Sequence, residues 1–481
     1  MKYFFCCICL LGFWVLGAQE KLGISNSNYS SSNSIYLNPS SSVDSRAYMQ
    51  MNLAGVNAFV MNNIVYQPKF SFWSLLNPSA LASPTLSTIR FKKFVYSNGG
   101  IDGPAFVISK RNYGAGLFVR ARFAADVRNI PNELINLFLN NFDFSEYAGQ
   151  RELDLRNVKA SSLAWTEYGL NGGYMIKKQR RDLMTVGANL KYLTGINFFY
   201  ANIATMKGFY NDTLLSVENV SAKLRYNQPA FNSGKGFGLD AGFTFKRMLK
   251  NVDSYYANSK QSNCTYIDYQ FKLAVSLRDV GYIKFKNNPV RADLSASGTV
   301  RSDTGLVLSE NTLINNFQAL LTNGNTRASI PANISVQADY NFGNHFYLNA
   351  TLVKNIVPVR WVGVQSPNLI SVCPRYEFRN FELAMPLTFH RFLYPQLGFA
   401  FRVRSFVLGF DNAFPLFVKK KTYGLGVYLN LGISLYRNPA CRGRAPSIAD
   451  CPTNVLTKST VKRKKKSGSR KPVWRTKKKK R

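Results

Sequence analysis

Histidine is nearly absent. The 481 residues hold two, His345 and His390, and a Ser-His-acid site needs an imidazole within hydrogen-bond reach of a nucleophile. Neither stands in a recognisable motif. His390, between Phe389 and Arg391, reads as a girdle or loop residue at a strand end. No enzyme activity and no cofactor are expected. A phosphate loop is missing too, because Gly234–Gly238 (GKGFG) precedes a strand instead of opening a helix and reads as a turn. Cysteine is sparse: of seven, Cys6, Cys7 and Cys9 fall in the first ten residues. The remaining Cys264, Cys373, Cys441 and Cys451 fit no zinc spacing. Cys441 and Cys451 flank a short polar stretch, so a bridge between them is one reading and free thiols the other.

Acids are scarce as well, 25 against 62 Lys and Arg, for a net charge of +37. In a cytosolic chain that imbalance would point to nucleic acid. The N-terminus redirects it. Met1 and Lys2 open a short positive region, Tyr3 to Ala18 run apolar, and Gln19 and Glu20 end the run. Charged start, apolar middle and small residues before a polar stretch make a signal peptide over residues 1–18, cut after Ala18. No later run reaches the roughly 18 uninterrupted apolar residues of a transmembrane helix. The chain is thus read as exported, without a helical anchor and without a nucleic-acid partner. That leaves the periplasm, secretion or a membrane barrel.

What is abundant decides among these. Hydrophobic residues make up 46% and aromatics 14%, too much for a disordered chain. They alternate. From Tyr423 to Leu435, Tyr423, Leu425, Val427, Leu429, Leu431, Ile433 and Leu435 share one face, with small or polar residues on the other. Phe237 to Phe245, Leu117 to Phe123, Phe271 to Leu277, Met184 to Tyr192 and Ile334 to Tyr340 repeat the pattern. The runs match the roughly 9–11 residues that cross a bilayer obliquely, and Tyr and Phe crowd their ends as aromatic girdles do. A closed barrel also satisfies every backbone hydrogen bond in lipid. The expectation is an all-β fold, a transmembrane antiparallel β-barrel of about 14 strands over residues 47–437 in the outer membrane, in contact with its lipid.

Residues 19–46 are polar and rich in Ser and Asn, and read either as a loose periplasmic leader or as a hatch-like piece folded into the barrel mouth. Two stretches break the alternation with helical spacing, Pro131 to Phe142 and Ser309 to Leu321, with Pro131 and Ser309 placed to start a helix. They are read as helical insertions. After a polar linker, 438–457, residues 458–481 carry 14 Lys and Arg and no acid, among them Lys462, Arg463, Lys464, Lys465 and Lys466, with Trp474 further on. Such blocks are disordered interaction tails. An even strand count puts this one in the periplasm, where its expected partners are other envelope proteins, peptidoglycan or anionic lipid. On the faces opposite the apolar ones stand Arg120, Arg122, Lys191, Lys272 and Arg278, with Asp240 and Asp339. They are expected to face the lumen, where a basic surface would favour anions and mutual pairing would conduct nothing.

Three short stretches carry a family resemblance: Ser34–Ser40 (SIYLNPS), Ser276–Gly281 (SLRDVG) and Ile330–Ile334 (IPANI). The chain resembles uncharacterised outer-membrane barrels of bacteria with a type IX secretion system, akin to the long-chain fatty-acid transporter. The first stretch looks like a hatch segment, the second like a strand-end turn and the third like the start of a strand. The likeness spreads over roughly residues 22–437 and leaves out the basic tail. It implies a hatch built on Asn38, Pro39 and Ser40 that rearranges to pass hydrophobic substrates, with Ser40 where Ala is usual. Two functions follow as expectations. One is transport of a small hydrophobic or anionic solute. The other is a non-conducting accessory barrel in an envelope or secretion assembly, docked through its tail.

Overall fold

The computed structural model describes residues 21–71, 85–87, 92–139, 151–210, 214–262, 265–286, 289–301, 320–358, 361–417 and 420–441. The signal peptide, Cys451 and the tail with Lys462, Arg463, Lys464, Lys465, Lys466 and Trp474 lie outside them. The strands are β1 (Met49–Asn62), β2 (Val65–Phe70), β3 (Thr85–Leu86), β4 (Lys93–Lys110), β5 (Tyr113–Ile130), β6 (Arg151–Gln179), β7 (Asp182–Tyr210), β8 (Leu214–Tyr226), β9 (Gly234–Met248), β10 (Tyr269–Phe285), β11 (Val290–Arg301) and β12 (Leu320–Asn323). There follow β13 (Thr326–Ser329), β14 (Asn333–Gly343), β15 (Phe346–Asn355), β16 (Leu369–Glu377), β17 (Phe381–Ala384), β18 (Leu387–His390), β19 (Tyr394–Leu397), β20 (Phe399–Val403), β21 (Phe406–Phe410), β22 (Lys420–Thr422) and β23 (Gly424–Leu435).

They form a closed antiparallel barrel of 14 strands. The first and last strands close it, with Met49 opposite Leu435 and Met61 opposite Gly424. Some staves come in two pieces. Pro386, which cannot donate to a ladder, separates β17 from β18, and both pieces pair with β16. The alternation places the apolar face outward, where it meets lipid: Leu170, Leu190 and Phe237 are 64%, 62% and 74% exposed. A soluble sheet would bury such side chains; an outer-membrane barrel needs them outside.

The two ends differ. At the end where Met49 and Leu435 meet, neighbouring strands are joined by two-residue turns, Arg111–Asn112, Arg180–Arg181, Asn344–His345 and Arg404–Ser405. Arg111, Arg180, Asn344, His345 and Arg404 there have positive φ, as tight hairpins require. The opposite end carries the long connections. Short turns are periplasmic and long loops extracellular in such barrels, so both ends of the barrel chain are periplasmic. β6 and β7, 29 residues each, extend roughly 95 Å at ~3.3 Å per residue, far past the bilayer. Their outer parts join β8, β11 and β12 in a sheet that stands above the barrel.

Three sequence expectations are corrected here. Gly234–Gly238 is the first turn-free stretch of β9, not a turn. Ser276–Gly281 lies inside β10, where a bulge between Leu277 and Val280, with Asp279 at φ 55°, takes the place of a strand-end turn. Leu320 and Leu321 belong to β12 and not to a helix, and the rest of Ser309 to Leu321 lies outside the described residues. The other insertion is a helix, Asn132–Leu139.

Candidate functional site

Residues 21–46 fill the barrel. They form two one-turn helices, Leu22–Ser25 and Ser31–Ser34, and a 3-10 turn, Pro39–Ser42, and nearly every one of them is buried. A segment without sheet partners must satisfy its backbone elsewhere, and the wall supplies the donors. Asn189, Arg278, Ser276 and Asn171 donate to the carbonyls of Ile35, Tyr36, Leu37 and Pro39 at 3.0, 3.3, 2.6 and 3.1 Å. Asn38 caps the 3-10 turn by accepting from the Ser40 N–H at 3.0 Å, and the Ser40 and Thr244 hydroxyls lie 2.7 Å apart. The wall has glycine where this turn touches it. A Cβ on Gly187 would fall 2.6 Å from the Ser40 backbone, and one on Gly242 2.1 Å from Asn38 Oδ1.

Three ion pairs tie this plug to the wall. Lys21 bonds Asp102 and, at 3.3 Å, Asn430. Asp44 accepts from Lys246 at 2.8 Å and from the Tyr255 hydroxyl at 2.7 Å. Arg46 reaches Asp268 at 2.6 Å and the hydroxyls of Tyr29 and Tyr347 at 2.6 and 2.5 Å, sealing the periplasmic mouth. Burial presses the Lys21 ammonium below its ordinary value, against the pull of Asp102. Burial likewise raises the Asp44 carboxyl, against the pull of Lys246.

At mid-height the wall charges join into one layer. Arg120 bonds Asp102 at 2.9 Å, and Arg122 bonds Glu167 at 2.7 Å and Asp279 at 2.9 Å. Lys191 sits between Asp240 and Asp279 at 2.7 and 2.6 Å. Nearer the periplasmic end, seven residues before Asp279 on β10, Lys272 stands 3.5 Å from Asp339, which also takes Arg375 at 3.0 Å. Arg278 bonds Asn333 and the plug. Every lumen residue named from the sequence therefore faces inward, Lys191, Asp240, Arg278 and Asp339 buried and Arg120, Arg122 and Lys272 partly buried. Each of these cations faces a carboxylate or a carbonyl oxygen.

Above this layer the lumen turns apolar. Phe59, Met61, Phe94, Tyr96, Ala124, Leu163, Trp165, Leu193, Phe198, Ile283, Phe285, Ala328, Ile330 and Val364 form one buried cluster contributed by strands all round the extracellular half. The Phe198 and Phe285 rings lie 4.5 Å apart. His390 joins this region at 5.2 Å from the Phe59 ring, buried inside and not in the girdle. Between cluster and plug is a cavity of about 50 Å³, lined by Lys21, Tyr36, Tyr96, Arg120, Arg122 and Asp279 among others, room for a few waters.

Sequence reading named Asp240 and Asp339 but missed Asp102, Glu167 and Asp279, and all of the greasy half. Glu167 is the register partner of Arg120 and was readable as inward from the outward Tyr168 and Leu170. Asp279 was not, because the β10 bulge shifts the phase there. Cys373 is a free buried thiol. Cys441 is disulfide-bonded, and its partner lies outside the described residues, so the pairing with Cys451 stays open.

Fold and lumen together define the class: a plugged outer-membrane β-barrel. Within it, the chain belongs to the family of unknown function DUF5723, whose pattern matches residues 39–411. No curated protein matches the sequence. Among solved structures the chain is similar to a deletion mutant of the TodX monoaromatic hydrocarbon channel, at 10% identity and TM-score 0.41 over 84% of this chain and 94% of that one. It is similar also to the Pseudomonas putida toluene transporter TodX, at 9% and 0.40 over 85% and 95%. A Pseudomonas aeruginosa FadL homologue matches at 8% and 0.24 over 86% and 96%.

Proposed function

We propose that the barrel passes a small, uncharged hydrophobic solute inward across the outer membrane, with residues 21–46 as its gate. One observation carries this reading: the inward aromatic cluster around Phe198, Phe285 and Trp165. A polar porin lumen has no use for such a surface, and burying apolar area is the way to hold an apolar guest. In the ion-pair layer beneath it the cations are already engaged by carboxylates and carbonyl oxygens of the barrel and plug. Passage then requires the plug to leave some of its wall contacts.

The test is uptake of a small aromatic hydrocarbon into vesicles containing the full chain, read against empty vesicles and against a barrel with the plug locked. Uptake that depends on an unlocked plug supports the reading. Equal rates in all three would end it.

The density of plug–wall bonds favours a second reading, a permanently closed barrel that serves as a scaffold. On that reading the basic tail holds an envelope partner, and removal of residues 458–481 releases it while uptake is absent throughout.

A further inference from the structure

The outer face carries three cations side by side near the extracellular end. Lys235 on β9 is opposite Lys284 on β10, and Lys284 is opposite Arg327 on β13. All three point away from the lumen, since the residues beside them, Gly236, Ile283, Phe285, Thr326 and Ala328, are buried inside. Like charges directly opposite each other across a strand pair are destabilising, and neighbouring strands are only about 4.8 Å apart. Among the described residues no carboxylate pairs with any of the three. A barrel stave has little reason to keep such a row unless something anionic lies over it.

The level of the row says what. One step toward the membrane Phe237 on β9 and Tyr282 on β10 stand opposite each other in register, with Tyr192 on β7 opposite Phe237 and Tyr168 next on β6. Their rings are 6.4 Å apart from Tyr168 to Tyr192 and 5.7 Å from Tyr192 to Phe237. This is an aromatic girdle. Below it, β10 shows Val280, Leu277, Val275 and Leu273 to the outside, each more than a third exposed. From Phe271 to Tyr282 the strand climbs roughly 28 Å when tilted by ~40°, which is the height of an apolar band. The cations thus begin where hydrocarbon ends. The Arg327 guanidinium lies 5.3 Å from the Tyr282 ring, on the boundary itself.

We propose that Lys235, Lys284 and Arg327 form a binding site for the phosphorylated saccharide headgroup of an outer-leaflet glycolipid of the lipid A type. Its acyl chains lie along Leu239, Leu273 and Val275, its sugar ring against Phe237 and Tyr282, and its phosphates bridge the three cations. The row spans two inter-strand gaps, about 10 Å, so more than one phosphate oxygen cluster is within reach of it. A guanidinium at one end supplies a bidentate contact and the two ammonium groups supply point charges. The site is independent of what passes through the lumen.

The full chain in detergent micelles is titrated with bisphosphorylated lipid A, dephosphorylated lipid A and phosphatidylglycerol, and bound lipid is counted by native mass spectrometry. Bisphosphorylated lipid A is expected to bind about tenfold or more tightly than either of the others, given the strength of cation contacts at a headgroup surface, and to weaken as salt rises. The triple variant K235Q/K284Q/R327Q loses that advantage. The variant K110Q/K250Q/K260Q, with the same charge removed at exposed positions of the periplasmic end, keeps it. Equal binding of phosphorylated and dephosphorylated lipid A by the native chain would overturn the proposal without any variant. So would equal binding of phosphatidylglycerol, which would mark a general anionic surface, or undiminished binding by the first variant. K235R/K284R/R327K retains binding if charge is what matters, and a loss there despite native heat resistance on gels would count against it.

Discussion

Trp165 donates its indole N–H to Glu167 Oε1 across 2.8 Å, two residues along the same strand. The pair stands where the apolar chamber meets the ion layer, and Arg122 lies 4.9 Å over the Trp165 ring while bonding the same carboxylate. From Glu167 the contacts run through Arg120 to Asp102 and so to Lys21 of the plug. A shift of the indole therefore acts on a carboxylate three contacts away from Lys21 of the plug.

Removing that carboxylate's charge tests the relationship. Glu167→Gln leaves Arg122 and Arg120 short of a partner in a buried place, and breaking a buried pair costs about 3 kcal/mol or more. Asp279 and Asp102 each retain one arginine, so a loss of ~2–3 kcal/mol is expected in urea unfolding of the folded barrel, with a shift in Trp165 emission.

The gate can be locked. The Ser40 and Thr244 hydroxyls are 2.7 Å apart, close enough for two sulfurs to bridge after adjustment. The variant S40C/T244C should form a disulfide, stop uptake of the hydrocarbon when oxidised and regain it on reduction. Uptake that ignores the bridge would mean the plug need not move there.

The periplasmic mouth should open when its stopper is cut. Arg46→Ala removes one ion pair and two tyrosine hydrogen bonds at once. Planar-bilayer recordings should show brief ion-conducting events absent from the native barrel, and residues near Tyr29 should become sensitive to protease added from the periplasmic side.

The lipid belt has its own signature. Leu190, 62% exposed, lies level with Leu170 and Leu239 on the neighbouring strands. Leu190→Arg should cost about 2–4 kcal/mol in vesicles, as a cation near the bilayer midplane does, and much less in a detergent that deforms around it. Leu193→Arg, facing the apolar chamber, is expected to be equally harmful in both.

Much of this was legible in the chain. Alternation is a local property, and from Tyr423 to Leu435 it separates lipid face from lumen without further information. Which lumen residue meets which was not, because partners such as Lys21 and Asp102 are brought together by closure and not by sequence spacing. The bulge at Arg278 and Asp279 defeats a strict period of two. The greasy half of the lumen was hidden for a related reason. Phe59, Trp165 and Phe285 come from strands far apart in the chain, and singly each looks like one more aromatic near a strand end.

The register of Met49 with Leu435 has a consequence for assembly. Asn430, in the last strand, hydrogen-bonds Asn33 of the plug, almost four hundred residues earlier, at 2.8 Å. Contacts of such separation form slowly, since the loop they close must lose its freedom first. The plug cannot find its full set of partners until the final strand has arrived, and the final strand closes over it. Plug and ring must therefore mature together, and an export intermediate halted before residue 424 would hold a serine-rich segment with no seat and an open sheet edge with no neighbour.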